Sequence, residues 1–379
     1  MQRLAPVDPD RNPNGHTEEE ILAALQGASG SRRFTFRYEL LDSANRPIRE
    51  LDNVLACTVS QNWLADIKRT ATFRLRDSGG INYALDRIKP YVRLHLPPYG
   101  ERDWVEWPQG VFLLSSPKRH VDASGLVTRE VAAYDQLQVS ADDKVVSRYT
   151  ALPGDNYIQK VGSLLGLFTM DGLPPDPRNR PGAREWEPGT PKLRIINDLL
   201  QAINYESLSY DEDGRRVIRP YVSPDQRAEE YTYADGSASM MVPEADHELD
   251  LFAVPNKWVL YVSSPDGPPL RSVYTNTNPA SPTSTVRRGR TIVDYRQEWD
   301  VADQATLDAK VARLAFEASQ VYEAIEFETG LMPIHSGADV YRIRYGALAI
   351  DAKYVEHSWS MELRAGARMR HRARRVVTV

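Results

Sequence analysis

The densest set of metal-ligand residue types in this chain is Glu244, Asp246, His247, Glu248 and Asp250. Carboxylates and an imidazole this close together could hold a hard cation, because a dication gathers oxygen donors. The run lacks the glycine turn and the ligand spacing of a calcium loop, so a solvated acidic loop is the favoured reading over a metal site. His335 with Asp339 supplies two of the three parts of a nucleophilic triad. No motif accompanies the pair. G-x-S-x-G, the P-loop, G-x-G-x-x-G, H-E-x-x-H and paired C-x-x-C are all missing, and no two of the seven histidines sit at helical ligand spacing. The chain is therefore read as a non-enzyme with no cofactor.

Arg364, Arg368, Arg370, Arg372, Arg374 and Arg375, with His371, have no acid among them. Such a run could meet phosphates or an acidic partner. The chain as a whole carries a formal charge of -5, which disfavours a general nucleic-acid surface. Arg370, Arg372 and Arg374 alternate, as on the wet face of a strand continuing into Val376 and Val377. These three are the candidate subunit-interface residues.

The elements that must position these residues are mostly strands. Phe34, Phe36, Tyr38 and Leu40 alternate with polar residues, as do Ala71, Phe73 and Leu75, and Val92, Leu94 and Leu96. That period of two predicts half-buried strands. Further strands are expected at 111–115 and 127–134, giving a barrel or sandwich over 32–147. Residues 1–31 read as an arm, either a disordered tail or a segment that orders on a neighbouring subunit. It holds a short helix with Thr17 as N-cap and Glu20 three residues on. Residues 148–225 read as a small α/β domain. One helix face is Ile158, Val161, Leu164 and Leu165; a second is Leu193, Ile196, Leu199, Leu200 and Ile203. A proline-rich loop at 171–191 separates them, and a hairpin turning at Asp211-Glu212-Asp213-Gly214 follows. Strands return in 226–300 and 324–379, predicted to form a second barrel-like domain, with a polar loop at 263–290. An embedded helix at 301–323, part of a fourth small domain, is capped by Asp300 or Asp303. Its stripe is Leu307, Val311, Leu314, Ala315, Ala318, Val321 and Tyr322. The fold class is thus α+β and mainly β. The single cysteine, Cys57, permits no intramolecular disulfide, and no apolar run reaches a membrane span or a signal peptide.

Four segments stand out in order across residues 33–379. The first is Ile67–Phe73 followed by Asp86-Arg87-Ile88-Lys89-Pro90. The second is Trp107-Pro108-Gln109-Gly110-Val111-Phe112 through Ser115, then Ala133-Tyr134-Asp135. The third is Asn276-Thr277-Asn278-Pro279 through Ser284, and the fourth is Trp359 to Leu363 running into the arginines. Together they resemble the phage tail hub family of tail-tip and baseplate hubs, especially minor tail proteins of actinobacterial siphophages. Pro108, Gly110, Phe112, Tyr134, Asp135, Asn278, Pro279 and Trp359 carry the resemblance as scaffold residues.

The resemblance implies a hub-like homotrimer with two β-barrel-like domains per subunit and smaller α/β domains projecting from the ring. Such a ring adapts a sixfold tail tube to a threefold tip. The implied partners are a distal tail or tube-end protein above and tip, fibre or spike proteins below. DNA passes through the channel without specific binding. The implied location is the virion tail tip, after assembly in the host cytoplasm. The alternatives are the hub of a contractile injection system, tailocin or type VI-like, and a receptor- or carbohydrate-binding tail protein. The last would stack sugars on tryptophans 63, 104, 107, 186, 258, 299 and 359, for which core packing is the commoner use.

Overall fold

The computed structural model describes residues 1–376, apart from 29, 78, 167–183, 237–238, 250, 263–268, 299–300, 302 and 321–322. The first half contains α1 (Glu18–Leu25) and nine strands: β1 (Arg33–Leu41), β2 (Pro47–Glu50), β3 (Val54–Asn62), β4 (Arg69–Arg76), β5 (Arg87–His95), β6 (Trp104–Pro108), β7 (Phe112–Leu114), β8 (Lys118–Val121) and β9 (Val127–Tyr134). An α/β unit follows: α2 (Leu137–Asp142), β10 (Tyr149–Ala151), α3 (Tyr157–Leu164), β11 (Arg184–Trp186), α4 (Lys192–Ala202), β12 (Ser209–Tyr210) and β13 (Arg216–Val217). The rest comprises β14 (Tyr231–Ala234), β15 (Met241–Leu249), β16 (Lys257–Val262), β17 (Leu270–Thr275), α5 (Thr285–Arg288), β18 (Val293–Glu298), α6 (Gln304–Gln320), β19 (Glu323–Gly330), β20 (Val340–Tyr345), β21 (Ile350–Glu362) and β22 (Arg368–Arg375).

The architecture is α+β and mainly β, with two barrel-like halves and smaller α/β units attached. One 15-stranded sheet runs through both halves; its main path is β15-β19-β22-β21-β3-β4-β9-β7-β5-β1-β2, and β14, β20, β6 and β8 pair beside it. The halves join where β21 pairs antiparallel with β3, Ser360 opposite Ser60, and the two hydroxyls lie 2.9 Å apart. The alternation in the sequence sets which face is inside. In β4, Ala71, Phe73 and Leu75 are buried while Arg74 and Arg76 are exposed. Phe112 and Trp359, from opposite halves, share one hydrophobic core, whereas Tyr233, Ile325, Phe327, Tyr341 and Tyr354 fill a second core beyond it.

Four expectations change. The acidic run 244–248 is not a loop but edge strand β15, paired antiparallel with β19, a partner some eighty positions away that local sequence does not reveal. The segment 263–290 is not a loop throughout: it contains β17, hairpinned to β16, and α5. Strands β16, β17 and β18 form their own sheet and pack with α6, because Trp258, Leu260 and Val262 meet Leu307, Val311 and Ala315. The strands at 257–298 therefore go with the helix, not with the second barrel's sheet. Finally, the arm is not a free tail: it packs against its own chain. Gln2 Nε2 donates to the carbonyls of Pro108 and Pro333, one from each half, and the Glu106 N–H donates to the Arg11 carbonyl. Ile21 and Leu25 of α1 are buried in the shared core, and Thr17 and Glu20 form the expected capping box.

Side chains also cap two later helices. Asn156 caps α3, and Asp303 accepts from the Thr306 N–H ahead of α6. Asp300, Val321, Tyr322 and residues 171–183 of the proline-rich loop lie outside the described residues.

Candidate functional site

Three constellations carry the chain's unusual chemistry. The first is the outer face of β22. Its period of two buries Met369, His371 and Ala373 and exposes Arg368, Arg370 and Arg372. β22 is an inner strand of the sheet, so each arginine faces a cross-strand neighbour. Glu328 opposite Arg370 pairs with both Arg368 (3.0 Å) and Arg370 (2.9 Å), and Glu326 opposite Arg372 pairs with it at 3.2 Å. These arginines hold the Glu328 carboxyl below its ordinary range. Arg374 differs: it is half-buried, and burial, with Arg372 beside it, lowers its pKa.

The second constellation is a clamp around the hairpin turn 211–214. Arg69, buried at the start of β4, donates to Gln61 Oε1 (2.7 Å), the Gln109 carbonyl (3.4 Å) and Glu212 Oε1 (2.6 Å). Its own N–H donates to Asp135 Oδ2, while the Leu137 N–H donates to Asp135 Oδ1, both at 2.9 Å. Burial pushes the Asp135 carboxyl up to about 6, against the pull of those N–H groups. Asp213 meets Arg11 of the arm at 2.5 Å and Lys89 of β5 at 2.7 Å. Burial would raise its carboxyl, but the two cations outweigh it and hold it at about 2. Two glycines permit the close approach. Gly110 has φ +120°, and a Cβ there would lie 2.9 Å from Arg69 Cδ; Gly214 has φ +78°, and its Cβ would lie 2.5 Å from Gln136 Nε2. The scaffold residues Pro108, Gly110, Phe112 and Asp135 are all buried around this clamp, and Trp359 lies beneath Arg69 with its ring centroid 5.9 Å from the guanidinium carbon. Tyr134 instead points outward. Asn278 and Pro279 are remote from it, in a compact turn. There Asn276 is buried, Asn278 Oδ1 accepts from the Ala280 N–H, and Ser284 caps α5.

The third constellation is polar and fully inside the second half. His335 Nδ1 lies 2.9 Å from Asp339 Oδ2, and its Nε2 lies 2.6 Å from the Tyr233 hydroxyl. The Met1 amino group pairs with Asp339 at 2.7 Å and also contacts Glu230. Burial opposes the Asp339 charge, yet that amine and His335 keep the carboxyl well below its usual range. Tyr233, His335 and Asp339 thus have the connectivity of a triad. Each is only 1 % exposed, so no substrate reaches the phenol. Glu356 and His371 complete the cluster. Neither was expected here from the sequence, where His371 stood only among the arginines, although a signal existed: each is polar at an inward position of an alternating strand, as in Met369-x-His371-x-Ala373.

The acidic run does not converge as a ligand set. On strand β15, Glu244, Asp246 and Glu248 share one side and His247 faces the other. His247 Nε2 pairs instead with Glu323, 3.2 Å away, and Asp250 lies outside the described residues. The tryptophans form no stacking platform among the described residues. Trp107, Trp186, Trp258 and Trp359 are buried, Trp104 lies under Arg93, and Trp63 is half-buried; Trp299 is outside them.

No family model and no curated protein matches the chain by sequence. Solved structures match it in fold. The tail protein from Neisseria meningitidis MC58 gives a TM-score of 0.63 at 10% identity, over 89% of this chain and 96% of that one. The 43 kDa tail protein of prophage MuSo2 from Shewanella oneidensis gives 0.57 at 10% identity, over 89% and 98%. This is a fold shared with prophage tail proteins. Prophage tail protein gp18 from Listeria monocytogenes EGD-e gives 0.53 at 13% identity, over 89% and 94%. No described helix is long and apolar enough to cross a membrane.

Proposed function

We propose that this protein is a structural hub of a phage tail tip and acts by assembly rather than catalysis. The reading rests on one observation above all: the chain follows the fold of two prophage tail proteins over 89% of its length and nearly all of theirs. The clamp and the arm support it, because buried ion pairs spent on joining domains are scaffold chemistry. In this reading three subunits close a ring of six barrel-like halves, adapting a sixfold tube to a threefold tip. A distal tail protein sits above, tip, fibre or spike proteins sit below, and DNA crosses a neutral or acidic channel without binding. A basic channel would hold a polyanion that carries about one charge per 1.7 Å of axis. The arginines of β22 face a neighbouring subunit or the tube-side partner. Arg368, Arg370 and Arg372 already have carboxylate partners, but those pairs are solvent-exposed and each contributes only about 0–1 kcal/mol, so a partner surface can compete for them.

The test is the symmetry of the purified chain, alone and with its tube-end protein, by light scattering and electron-microscopic class averages. A ring of three is expected. A monomer at high micromolar concentration in both samples would overturn the reading. Clearing of host cell walls in a zymogram would overturn its non-enzymatic part.

A further inference from the structure

Inside the second half, His335, Glu356 and His371 turn donor atoms towards one another, all within 4.8 Å. His335 comes from the loop after β19, Glu356 from β21 and His371 from β22, and each is at most 3 % exposed. Glu356 Oε2 is 3.1 Å from Nδ1 of His335 and 3.1 Å from Nδ1 of His371.

The surroundings decide where the protons sit. The Thr329 hydroxyl has one hydrogen and donates it to the Gly330 carbonyl at 2.7 Å. It must then accept from His371 Nε2, 2.9 Å away. That hydrogen bond fixes the proton of a neutral His371 on Nε2. Its Nδ1 therefore presents a bare lone pair to a carboxylate oxygen. Two lone pairs facing each other in a buried site repel unless a proton or a metal ion lies between them. The far nitrogen of each imidazole is anchored on a hydroxyl, Tyr233 for His335 and Thr329 for His371, which is how metal-bound histidines are oriented. Glu356 Oε1 is also buried, with the Tyr341 hydroxyl beside it.

We propose that His335 Nδ1, His371 Nδ1 and the Glu356 carboxylate bind a divalent transition-metal ion of the zinc class as a structural lock. Two imidazoles and a carboxylate are the donor set such ions favour, and binding displaces the Nδ1 proton that His335 shares with Asp339 Oδ2, 2.9 Å away. Bonds of about 2.0–2.2 Å place tetrahedral neighbours roughly 3.3 Å apart; the two histidine–glutamate separations are 3.1 Å, and the remaining one, within 4.8 Å, closes as the ion binds. The ion pins the 331–339 loop to β21 and β22. That loop also accepts from Gln2 and Gln109 through Pro333, so the lock bears on the junction between the halves. The inference stands apart from the hub reading.

The test uses the full chain prepared without a polyhistidine tag or chelator. Metal content is measured by mass spectrometry, and the stripped protein is then titrated with Co²⁺. One equivalent of metal per chain is expected, with visible d–d bands of a low-coordinate site, displacement by Zn²⁺ and a higher Tm on loading. Glu356→Gln should weaken Co²⁺ binding at least about tenfold. His247→Ala, on the exposed edge strand, should leave it unchanged. If Glu356→Gln fails to fold, the wild-type titration still decides. No bound metal, no d–d bands and no metal-dependent Tm shift would overturn the proposal and leave a proton on Glu356 as the link.

Discussion

Replacing Arg69 by methionine removes the guanidinium at the centre of the clamp and keeps most of the apolar stem. Glu212, with 10% side-chain exposure, would keep only its 2.6 Å bond from Ser336; Gln61 Oε1 and the Gln109 carbonyl would lose their donor. The Arg69 side chain is itself 5% exposed, so little water compensates. Breaking a buried pair from one side costs about 3–5 kcal/mol because the remaining charge is stranded. Replacing both partners by apolar residues of similar volume is often close to neutral. Arg69→Met should therefore cost about 3–5 kcal/mol, and Arg69→Met with Glu212→Met should recover at least about half of that. Urea unfolding followed by tryptophan fluorescence suits the measurement, since Trp359 lies under Arg69. A loss below about 1 kcal/mol in the single variant, as for an exposed pair, would refute the reasoning.

Phe112→Ala and Trp359→Ala should each cost about 3–5 kcal/mol. Both residues share one core, so thermal melts should show a single common transition moving rather than one half melting alone. Asp213→Asn removes the anion that holds Arg11 and Lys89, and hydrogen exchange should report lost protection across residues 1–16; unchanged exchange would show that the arm is held by its other bonds. Asp135, pushed up to about 6 by burial from an ordinary 3.8, binds its proton more tightly in the folded chain. Its contribution to stability is therefore full at low pH and falls as pH rises from about 4 to about 6, by up to about 3 kcal/mol. Urea unfolding across that window should show the slope in the wild type and not in Asp135→Asn. Changing Arg370, Arg372 and Arg374 together to glutamate should leave the fold intact by circular dichroism yet weaken ring or tail assembly; normal assembly with abnormal DNA ejection would place these arginines at the channel.

What was legible in the sequence was what local physics fixes. Alternation such as Ala71-x-Phe73-x-Leu75 needs no partner to declare its faces, because a strand's side chains alternate whatever pairs beside it. Helix starts were legible for the same reason: Thr17 with Glu20 satisfies its own backbone donors within four residues. The arginine face of β22 followed from period two alone. The interior cluster was half visible, since His335 and Asp339 are four residues apart.

The remainder depended on partners distant in the chain. Residues 244–248 read as a solvated loop because their composition is acidic, and only pairing with β19 makes them an edge strand. Strands β16 to β18 leave the barrel for α6 because Trp258 and Leu260 find their apolar contacts there, a choice between two cores that the sequence presents as equals. The arm's polar, breaker-rich composition resembles a tail until Asp213, some two hundred positions later, supplies the charge that Arg11 needs. Glu356 and His371 meet His335 only once β21 and β22 are paired in register. Period and capping are properties of neighbouring residues, so the sequence determined the elements. Pairing and burial of charge depend on which surfaces meet, so the tertiary structure decided the site.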